Sequence, residues 1–461
     1  PRMIRHGLYT ISSGTGFLKR LAEGLQVMSE GDDLALTQMR VLLPTRRAGR
    51  ELRAAFLSLS PDKPVLLPRL QPIGDVDAED IDLYLSGFGM GDHDIPPAIS
   101  ALERQFLLAT LIQKKDPDLG LDAALALAND LARLIDTVYT ENMDFSGLAR
   151  IVPDTLATHW QKTLEFLEIV TEYWPLILAE RGQIDPSDRR NRLLKSLATL
   201  WRHHPPEGPV IAAGSTGSIP SAGDLLKTIA ELPLGCVVLP GLDRDLDDAS
   251  WDAFTDTHPQ ATLRNLLRRM NKTRADVRLW PEAEGHSSPR APLLRAVMRP
   301  ADSFGVADHT ALTNGLKHLN IIETATPREE AAVIALAIRE TLETPNKTAC
   351  FVTPDRTLAR RVMTALHRWG IEVDDSAGGA LATTGSSTFL VSLLRVVEEN
   401  FAPLELLDFL KHDYQRLISK DDVAEFERYM LRGPRPAEGI AGLYRRLSLI
   451  ERNNENLNKI V

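Results

Sequence analysis

A glycine-rich turn between an apolar strand and a helix opens the chain, and turns of this kind bind phosphate groups in many nucleotide-binding proteins. The turn spans residues 12–16. A P-loop also needs a lysine that reaches the outer phosphates and a Ser or Thr that holds magnesium, both directly after its last glycine. Phe17 and Leu18 stand there instead. Gly14 and Gly16 are therefore expected to form a degenerate nucleotide-binding turn that holds at most a lone phosphate.

Two further polar loops follow apolar runs. Thr45 follows a run that is typical of a buried parallel strand, and it can cap a helix that begins with Arg46 and Arg47. Such a helix N-terminus offers amide donors and positive charge to a phosphate. Ser215 and Thr216 lie in a hydroxyl-rich loop after another strand, where open α/β sheets place ligands. Both loops are candidate DNA contacts; an ordinary helix cap with solvated arginines, and a plain turn, are the alternatives.

Basic side chains are densest between residues 264 and 278. A groove with such charges can bind a nucleic-acid strand through its phosphates, although basic helix faces are often only solvated. A second, smaller basic group begins at residue 356. The candidate DNA-binding residues of the two groups are Arg264, Arg268, Arg269, Arg356 and Arg360.

The acidic stretch from Asp243 to Asp248 resembles a calcium-binding loop only superficially. A loop of that kind needs Gly at its sixth position and Glu at its twelfth, where Asp248 and Phe254 stand. His203 and His204 have no partners at the spacing of metal ligands. No metal site and no catalytic residue are expected in this chain.

The composition indicates an ordinary globular protein. Its 461 residues allow about three domains, and 43% hydrophobic with 25% charged residues exclude wholesale disorder. A net charge of −10 excludes a uniformly basic binder but allows a local basic channel. Cys236 and Cys350 both lie in apolar runs, where we expect buried thiols, and two cysteines are too few for an iron–sulfur site. They suit a reducing cytoplasm, and no signal core or membrane-spanning run is evident.

Hydrophobic periodicity predicts an α/β protein in which a helical stretch interrupts a parallel sheet. Residues 1–96 and 205–317 form the two parts of the first sheet domain, around a helical insert at 97–204. Residues 318–400 form a second α/β domain, and 401–461 are helical and look cut off within a domain. The predicted strands are Leu8–Ile11, Met39–Pro44, Pro209–Ala213 and Cys236–Leu239 in the first domain, and Leu319–Ile322, Thr348–Thr353 and Ile371–Val373 in the second.

Three apolar stripes at helical spacing are expected to form the core of the insert. Because the aromatic residues recur at this spacing, they are assigned to packing and not to base stacking. The stripes are Leu102, Phe106, Leu107 and Leu111; Ala124, Leu125, Ala128, Leu131, Ile135 and Val138; and Trp160, Leu164, Leu167, Val170, Trp174 and Ile177.

Two α/β halves with an insert in the first resemble superfamily I helicases of the UvrD/RecB type. Longer strings are similar to the AddB family in its alphaproteobacterial form: VLLPTRRAGRELRAAFL (41–57), VIAAGSTGSIPSAGDLL (210–226) and TPREEAAVIALAIRE (326–340). The resemblance implies two RecA-like parallel-sheet domains, called 1A and 2A. It further implies that residues 97–204 are a 1B-like insert and that 401–461 begin a helical 2B-like subdomain.

The departures from the active motors are consistent with one another. In such motors an Asp-Glu pair ends the strand after the insert and holds magnesium, whereas Ala212, Ala213 and Gly214 stand here. Pro354 takes the place of an arginine that contacts the γ-phosphate. With the lysine and hydroxyl also replaced, the resemblance implies an inactivated helicase.

The resemblance implies a non-catalytic DNA-binding subunit of an AddAB-type ATP-dependent helicase–exonuclease in double-strand break repair by homologous recombination. The subunit would hold one unwound strand, with residues 45–47 on its phosphates, and scan it for a recombination signal. ATP, magnesium and the motor would belong to an AddA-type partner subunit. An iron–sulfur cluster and a second nuclease, which the family carries, would lie outside this chain.

Two other functions remain open at this stage. A divergent but active NTP-dependent DNA motor would use an unconventional phosphate loop. A protein-binding scaffold would contact its partner subunit and never DNA. DNA-stimulated ATP hydrolysis distinguishes the first, and salt-dependent DNA binding distinguishes the second.

Overall fold

The computed structural model describes residues 6–29, 32–61, 64–73, 95–143, 167–281, 288–300, 309–433 and 435–451. The chain divides into two compact units, Pro1–Leu319 and Asn320–Val461. The described helices of unit 1 are α1 Phe17–Met28, α2 Asp33–Gln38, α3 Arg46–Leu59, α4 Ala101–Lys115, α5 Leu121–Thr140, α6 Trp174–Glu180, α7 Pro186–His203, α8 Pro220–Glu231, α9 Asp248–Asp252, α10 Ala261–Arg269, α11 Ala291–Val297 and α12 His309–Leu316.

A parallel sheet of six strands forms the centre of unit 1. Its order is β3-β2-β4-β5-β1-β6, and every described pairing is parallel. The four predicted strands of the first domain are confirmed; β3 and β6 lie at the edges and were not predicted. The strands are β1 Gly7–Ile11, β2 Arg40–Leu43, β3 Arg69–Pro72, β4 Val210–Ala213, β5 Gly235–Pro240 and β6 Arg278–Leu279.

Helices cover both faces of the sheet, which explains why the inner strands are apolar on both sides. On one face, α1 and α3 pack on Tyr9, Ile11 and Val41. On the other face, α7, α8 and α10 pack on Leu8 and Leu42. The chain therefore leaves β1 and β2 towards one face, and it leaves β4 and β5 towards the opposite face.

The segment between β3 and β4 is helical in the described residues, as its apolar stripes predict, but the stripe on α4 is only half confirmed. Leu107 and Leu111 pack against the core, whereas Leu102 and Phe106 are exposed. The most buried positions, Leu108 and Ile112, are rotated by about one residue from the predicted stripe. The α5 stripe is confirmed at its central positions. Within the third stripe, Trp160 and Leu164 lie outside the described residues. The buried stripe residues of α5 and the following segment are Ala124, Ala128, Leu131, Ile135, Leu167, Val170 and Trp174.

A buried ion pair holds the insert together. The guanidinium of Arg104 donates to Asp136 at 3.1 Å and to the carbonyl of Ala132 at 3.0 Å. It also lies 3.1 Å from Asp185, a 1% exposed carboxylate whose Oδ1 accepts from the amide of Ser187 and so caps α7. Burial raises the pKa of Asp185, and the charge of Arg104 lowers it in part.

The raised pKa of Asp185 predicts how the stability of the fold responds to pH. A carboxyl whose pKa is higher in the folded than in the unfolded state favours folding while it is protonated, and this contribution is lost as pH rises through the folded pKa. Asp185→Asn cannot ionise. We therefore compare the free energy of unfolding of the wild type with that of the variant, and expect the difference, wild type minus variant, to fall as pH rises above about 3.8. The fall amounts to about 1.4 kcal/mol for each pH unit by which the pKa of Asp185 in the folded state exceeds its pKa in the unfolded state.

Urea denaturation of both proteins across the acid range measures this difference. Asp130→Asn, at an exposed site, controls for the loss of one carboxylate. A difference that rises with pH would show that Arg104 outweighs burial and that the pKa of Asp185 is lowered.

Unit 2 is helical in the described residues. Its first helix, α13, begins as predicted at Pro327, where Thr326 accepts from the amide of Glu329 at 3.2 Å. Helices α13 and α14 enclose a small core around Ala335 and Val362. The helices are α13 Pro327–Leu342, α14 Arg356–His367, α15 Gly385–Glu398, α16 Pro403–Lys411, α17 Lys420–Phe426 and α18 Ile440–Glu451.

The predicted second sheet is not confirmed. None of the three segments expected as strands in unit 2 is paired in the described part of the chain. Ile321 and Val352 are 88% and 86% exposed, because no neighbouring strand or helix covers them. For the same reason Cys350 is exposed, which corrects its assignment to a core. Cys236 is buried as predicted, and burial raises the pKa of its thiol to about 12.

The described ranges contain no helix whose length and apolar content would allow it to cross a bilayer.

Candidate nucleic-acid interface

Three of the loops singled out in the sequence meet at one edge of the sheet. Strands β1, β2 and β4 are parallel, so their carboxyl ends lie on the same side. Strands β2 and β4 are direct neighbours, with Leu42 opposite Ala212. We call this set of loops, residues 12–17, 44–47 and 214–218, the carboxyl edge.

Two glycines determine the backbone of the turn after β1. Gly14 and Gly16 have φ angles of 78° and 77°, a left-handed conformation that side chains other than glycine rarely adopt. A Cβ on Gly14 would also lie 2.8 Å from the Cβ of Ser288. Gly16 precedes α1 directly, and no side chain caps the amides of that helix.

The side chain that replaces the P-loop lysine lies across this edge. Phe17 is half-buried and packs against the core of the sheet together with Leu18. Its ring lies 3.4 Å from the point where a Cβ on Gly214 would stand. The aromatic ring therefore occupies space between the turn and the end of β4, where the acid pair of a motor would have to face the phosphates.

The start of α3 presents donors and positive charge at the same edge. Thr45 is exposed, and its hydroxyl accepts from the amide of Ala48 at 3.1 Å, as the predicted helix cap requires. Arg46 is exposed and Arg47 is half-buried, and both make further interactions with the protein. An anion here would meet the first-turn amides and two guanidinium groups.

Two more arginines of α3 extend this positively charged surface, and they were not predicted from the sequence. Arg50 and Arg53 are exposed on α3, and neither makes an ion pair with another described residue. Arg50 lies one helical turn after Arg46, so both project from the same side. The signal was available as the spacing Arg46, Arg50 and Arg53, with Glu51 the one acid of the helix.

Two glycines in the left-handed conformation determine the backbone of the loop after β4. Gly214 and Gly217 have φ angles of 79° and 62°, and the amide of Gly217 donates to the hydroxyl of Ser215 at 3.3 Å. Thr216 is half-buried, and its hydroxyl has no partner among the described residues. Because a Cβ on Gly214 would lie 3.5 Å from Pro44, this loop lies directly beside the loop that leads into α3.

Arg264 does not belong to the interface, which corrects its assignment as a DNA contact. It is 5% exposed, and its guanidinium donates to the carbonyls of Trp251, Asp252 and Phe254 at 3.0 to 3.3 Å. The two helical carbonyls lie at the end of α9 and have no partner within that helix. Arg264 is therefore a structural residue that caps α9 from α10.

Of the other arginines in this basic group, some are exposed and some are held by contacts within the protein. Arg269 is part-exposed, pairs with Asp224 at 3.2 Å and lies against the first turn of α8, next to the β4 loop. Arg268 is 59% exposed and 3.9 Å from Asp252, too far for a hydrogen bond. Arg274 lies 4.7 Å above the ring of Trp251 and is structural, as is Arg278 above Tyr9.

In unit 2, one of the two candidate arginines is already occupied. Arg356 donates to Asp375 at 3.1 Å and to the carbonyl of Gly378 at 3.2 Å, and the bond to Asp375 raises the pKa of Arg356. Arg360 is exposed, with no ion pair to another described residue, and so has a free charge to offer.

Arginines occupy the acidic stretch after β5, which fits its rejection as a calcium loop. The ion pairs join Asp243 and Asp245 to Arg295 at 3.0 and 2.9 Å, and Asp247 to Arg299 at 3.2 Å. Each of these three carboxylates is thus paired with an arginine, with Arg295 shared by two of them. Among the described residues, no group of three His, Cys, Asp or Glu side chains is placed to hold a metal ion.

This chain matches no protein-family model and no curated protein.

The carboxyl edge offers hydrogen-bond donors and positive charge to an anion, and its three loops contain no Asp or Glu. It offers amides at two helix starts, the hydroxyl of Thr216 and the arginines of α3. No carboxylate ends β4, because Ala212, Ala213 and Gly214 stand there. Known phosphoanhydride-hydrolysing motors use an acidic side chain to hold magnesium or to orient water, and the loops at 12–17, 44–47 and 214–218 contain none.

Proposed function

We propose that this protein is the non-catalytic DNA-binding subunit of an AddAB-type helicase–exonuclease, acting in double-strand break repair by homologous recombination. The proposal combines the resemblance of the strings at 41–57, 210–226 and 326–340 to the AddB family with the chemistry of the carboxyl edge. In this proposal, unit 1 corresponds to a RecA-like domain 1A with a 1B-like insert. Residues 318–400 correspond to domain 2A, and 401–461 begin the 2B-like subdomain.

The observation that carries the proposal is the position of Phe17 against Gly214. The ring of Phe17 occupies the space between the glycine turn and the end of β4, and the neighbouring helix α3 has four arginines at or near its start. A site that bound ATP would need the opposite arrangement, with a cation in that space and an acid at the end of the strand. The edge therefore favours binding of a nucleic-acid backbone over ATP hydrolysis.

The partners follow from the same proposal. An AddA-type subunit supplies ATP, magnesium and the motor, and this chain holds one strand of the unwound DNA end. Thr45, Arg46, Arg47, Ser215 and Thr216 contact its phosphates, with Arg269 at the flank. Contacts of this kind are worth more at low salt, because each phosphate contact releases a counterion.

Two measurements on the purified chain test the proposal. We expect single-stranded DNA to bind with an affinity that falls linearly with the logarithm of salt concentration. We expect no ATP hydrolysis above background, with or without DNA. DNA-stimulated hydrolysis that disappears in a Gly16→Val variant would overturn the proposal in favour of an active motor.

The scaffold alternative predicts a different outcome of the binding experiment. A protein that contacts only its partner subunit would not bind DNA, or would bind it with an affinity that is flat across the salt series. Either result, repeated in the presence of an AddA-type subunit, would replace the DNA-binding proposal with the scaffold.

A further inference from the structure

A cavity of about 470 Å³ opens beside the glycine turn, at the carboxyl ends of β1 and β5. Its walls come from the ends of β1 and β5, the loop before α10, and α11. Strands β1 and β5 are neighbours, yet the chain leaves them towards opposite faces of the sheet. Such a switch in direction opens a crevice at the carboxyl ends, which is where open α/β sheets bind ligands.

Ion pairs and hydrogen bonds within the protein hold the walls of this cavity in place. Arg295 of α11 joins Asp243 and Asp245 of the β5 loop. His258 is 2.8 Å from the carbonyl of Met298, so the loop before α10 is tied to the end of α11. Gln260 donates to the carbonyl of Gly241 at 2.9 Å. A cavity of this volume with fixed walls is in the range of small-molecule sites.

The lining combines apolar and polar side chains. The apolar ones include Leu279, Leu294 and Met298. Leu294 and Met298 are 47% and 45% exposed, although both belong to the wall of a cavity. Exposed apolar surface in a concave site favours a ligand with an apolar body.

The lining also carries hydrogen-bond donors that have no partner among the described residues. The hydroxyls of Ser12 and Ser13 and the guanidinium of Arg244 make no hydrogen bond or ion pair with any described residue. All three belong to the loops after β1 and β5. Donors and a positive charge in the loops after these two neighbouring strands favour a ligand with an acceptor-rich, anionic head.

The charge of the surrounding wall limits that head to a single negative charge. Asp243, Arg244, Asp245 and Arg295 all line the cavity, so these four side chains together carry no net charge. Arg295 pairs with both carboxylates, which leaves Arg244 as a guanidinium without an ion pair to a described residue. A phosphate dianion would bring two negative charges to that one guanidinium, whereas a carboxylate brings one.

We propose that this cavity binds an apolar group that bears one carboxylate, with the carboxylate on Ser12, Ser13 and Arg244 and the apolar body against Leu294 and Met298. The ligand is either a free small carboxylic acid or the C-terminal residue of a peptide, because both present this chemistry. The site shares the loop at residues 12–17 with the carboxyl edge but uses none of the proposed DNA contacts in the loops after β2 and β4, and it does not depend on the proposed function.

Calorimetric titration of the whole chain with 4-phenylbutyrate tests the proposal, with the neutral 4-phenylbutanol as its matched probe. We expect one site per chain and about fivefold tighter binding of the acid, since only the acid can form charge-assisted hydrogen bonds with Arg244. Arg244→Gln should weaken the acid about tenfold and leave the alcohol unchanged. Leu294→Asn should weaken both probes about fivefold.

Two controls make the result specific to this cavity. Leu176→Asn removes an apolar side chain that is 67% exposed on the insert, and Arg202→Gln removes an exposed arginine. Neither should change the affinity for either probe. All four positions are exposed, so the variants are expected to fold, and a thermal melt checks this.

Three outcomes would overturn the proposal: no saturable binding of either probe, equal affinity for acid and alcohol, or binding that Leu294→Asn leaves unchanged. A peptide that ends in leucine, tested as the free acid and as the amide, separates the two sources. Binding of the free-acid peptide alone supports a chain terminus as the ligand. Failure of both peptides beside binding of 4-phenylbutyrate supports a free carboxylic acid.

Discussion

Replacing Arg46, Arg47 and Arg50 together by glutamine is expected to weaken single-stranded DNA binding about hundredfold at 0.1 M salt. The three side chains lie on the first turns of α3, at the carboxyl edge of the sheet. Each phosphate contact on a single strand contributes about 0.7 to the slope of log affinity against log salt. Three lost contacts should therefore reduce that slope by about 2, which corresponds to the hundredfold loss over a tenfold range of salt.

The measurement is filter binding of a labelled oligonucleotide across a salt series. The matched control replaces Arg133, Arg181 and Arg202, three part-exposed or exposed arginines of the helical insert, and it changes the net charge of the protein by the same amount. An equal loss in both triple variants would mean that overall charge, and not the carboxyl edge, governs binding. An unchanged salt slope in the α3 variant would place the DNA elsewhere on the molecule.

The inner strands of the sheet could be predicted because they are buried on both faces. Val41, Ile211 and Val238 all belong to uninterrupted apolar runs, and such runs have few other places in a folded chain. The edge strands gave no such signal. The run Arg69–Pro72 contains an arginine and a proline, and only its pairing with β2 makes it a strand.

Unit 2 shows what an apolar run alone cannot predict. Residues 348–353 have the composition of a buried strand, yet Val352 is 86% exposed and the segment is unpaired. A strand exists only through its neighbours, and the sequence of one segment does not say whether a neighbour is present. The helices α13 and α14, whose hydrogen bonds are internal, form without that information.

The candidate site was predictable in position but not in every member. Strand, cap and glycine patterns located Thr45, Gly16 and Ser215 at one edge, because parallel strands end on the same side. The ring of Phe17 against Gly214 was not predictable, since residues nearly 200 positions apart meet only through the strand order. The sequence shows that Phe17 stands where a P-loop has its lysine, but it does not show what the ring of Phe17 contacts.

The burial of Arg264 could not be predicted from the sequence, and it leads to the second prediction with a large expected effect. From sequence, Arg264, Arg268 and Arg269 are three similar basic residues of one helix. In the structure Arg264 faces inward, because the end of α9 directs the carbonyls of Trp251 and Asp252 at it. No pattern within α10 reports where those carbonyls lie.

Arg264→Met should lower the free energy of unfolding by about 3–5 kcal/mol. Methionine keeps most of the apolar stem but makes no hydrogen bond, so the carbonyls of Trp251, Asp252 and Phe254 lose their shared donor in a site that is 5% exposed. Arg268→Met, one turn later and 59% exposed, should change the same quantity by about 0.5 kcal/mol or less. Urea denaturation measures both.

Arg264→Lys separates the loss of charge from the loss of geometry. Lysine retains the positive charge, but its single ammonium cannot reproduce the planar fork that reaches three carbonyls at once. We therefore expect it to recover only part of the stability that Arg264→Met loses. Equal stability of the lysine variant and the wild type would show that charge alone matters. Equal, small effects of Arg264→Met and Arg268→Met would show that Arg264 does not cap α9, and would return it to the candidate DNA contacts.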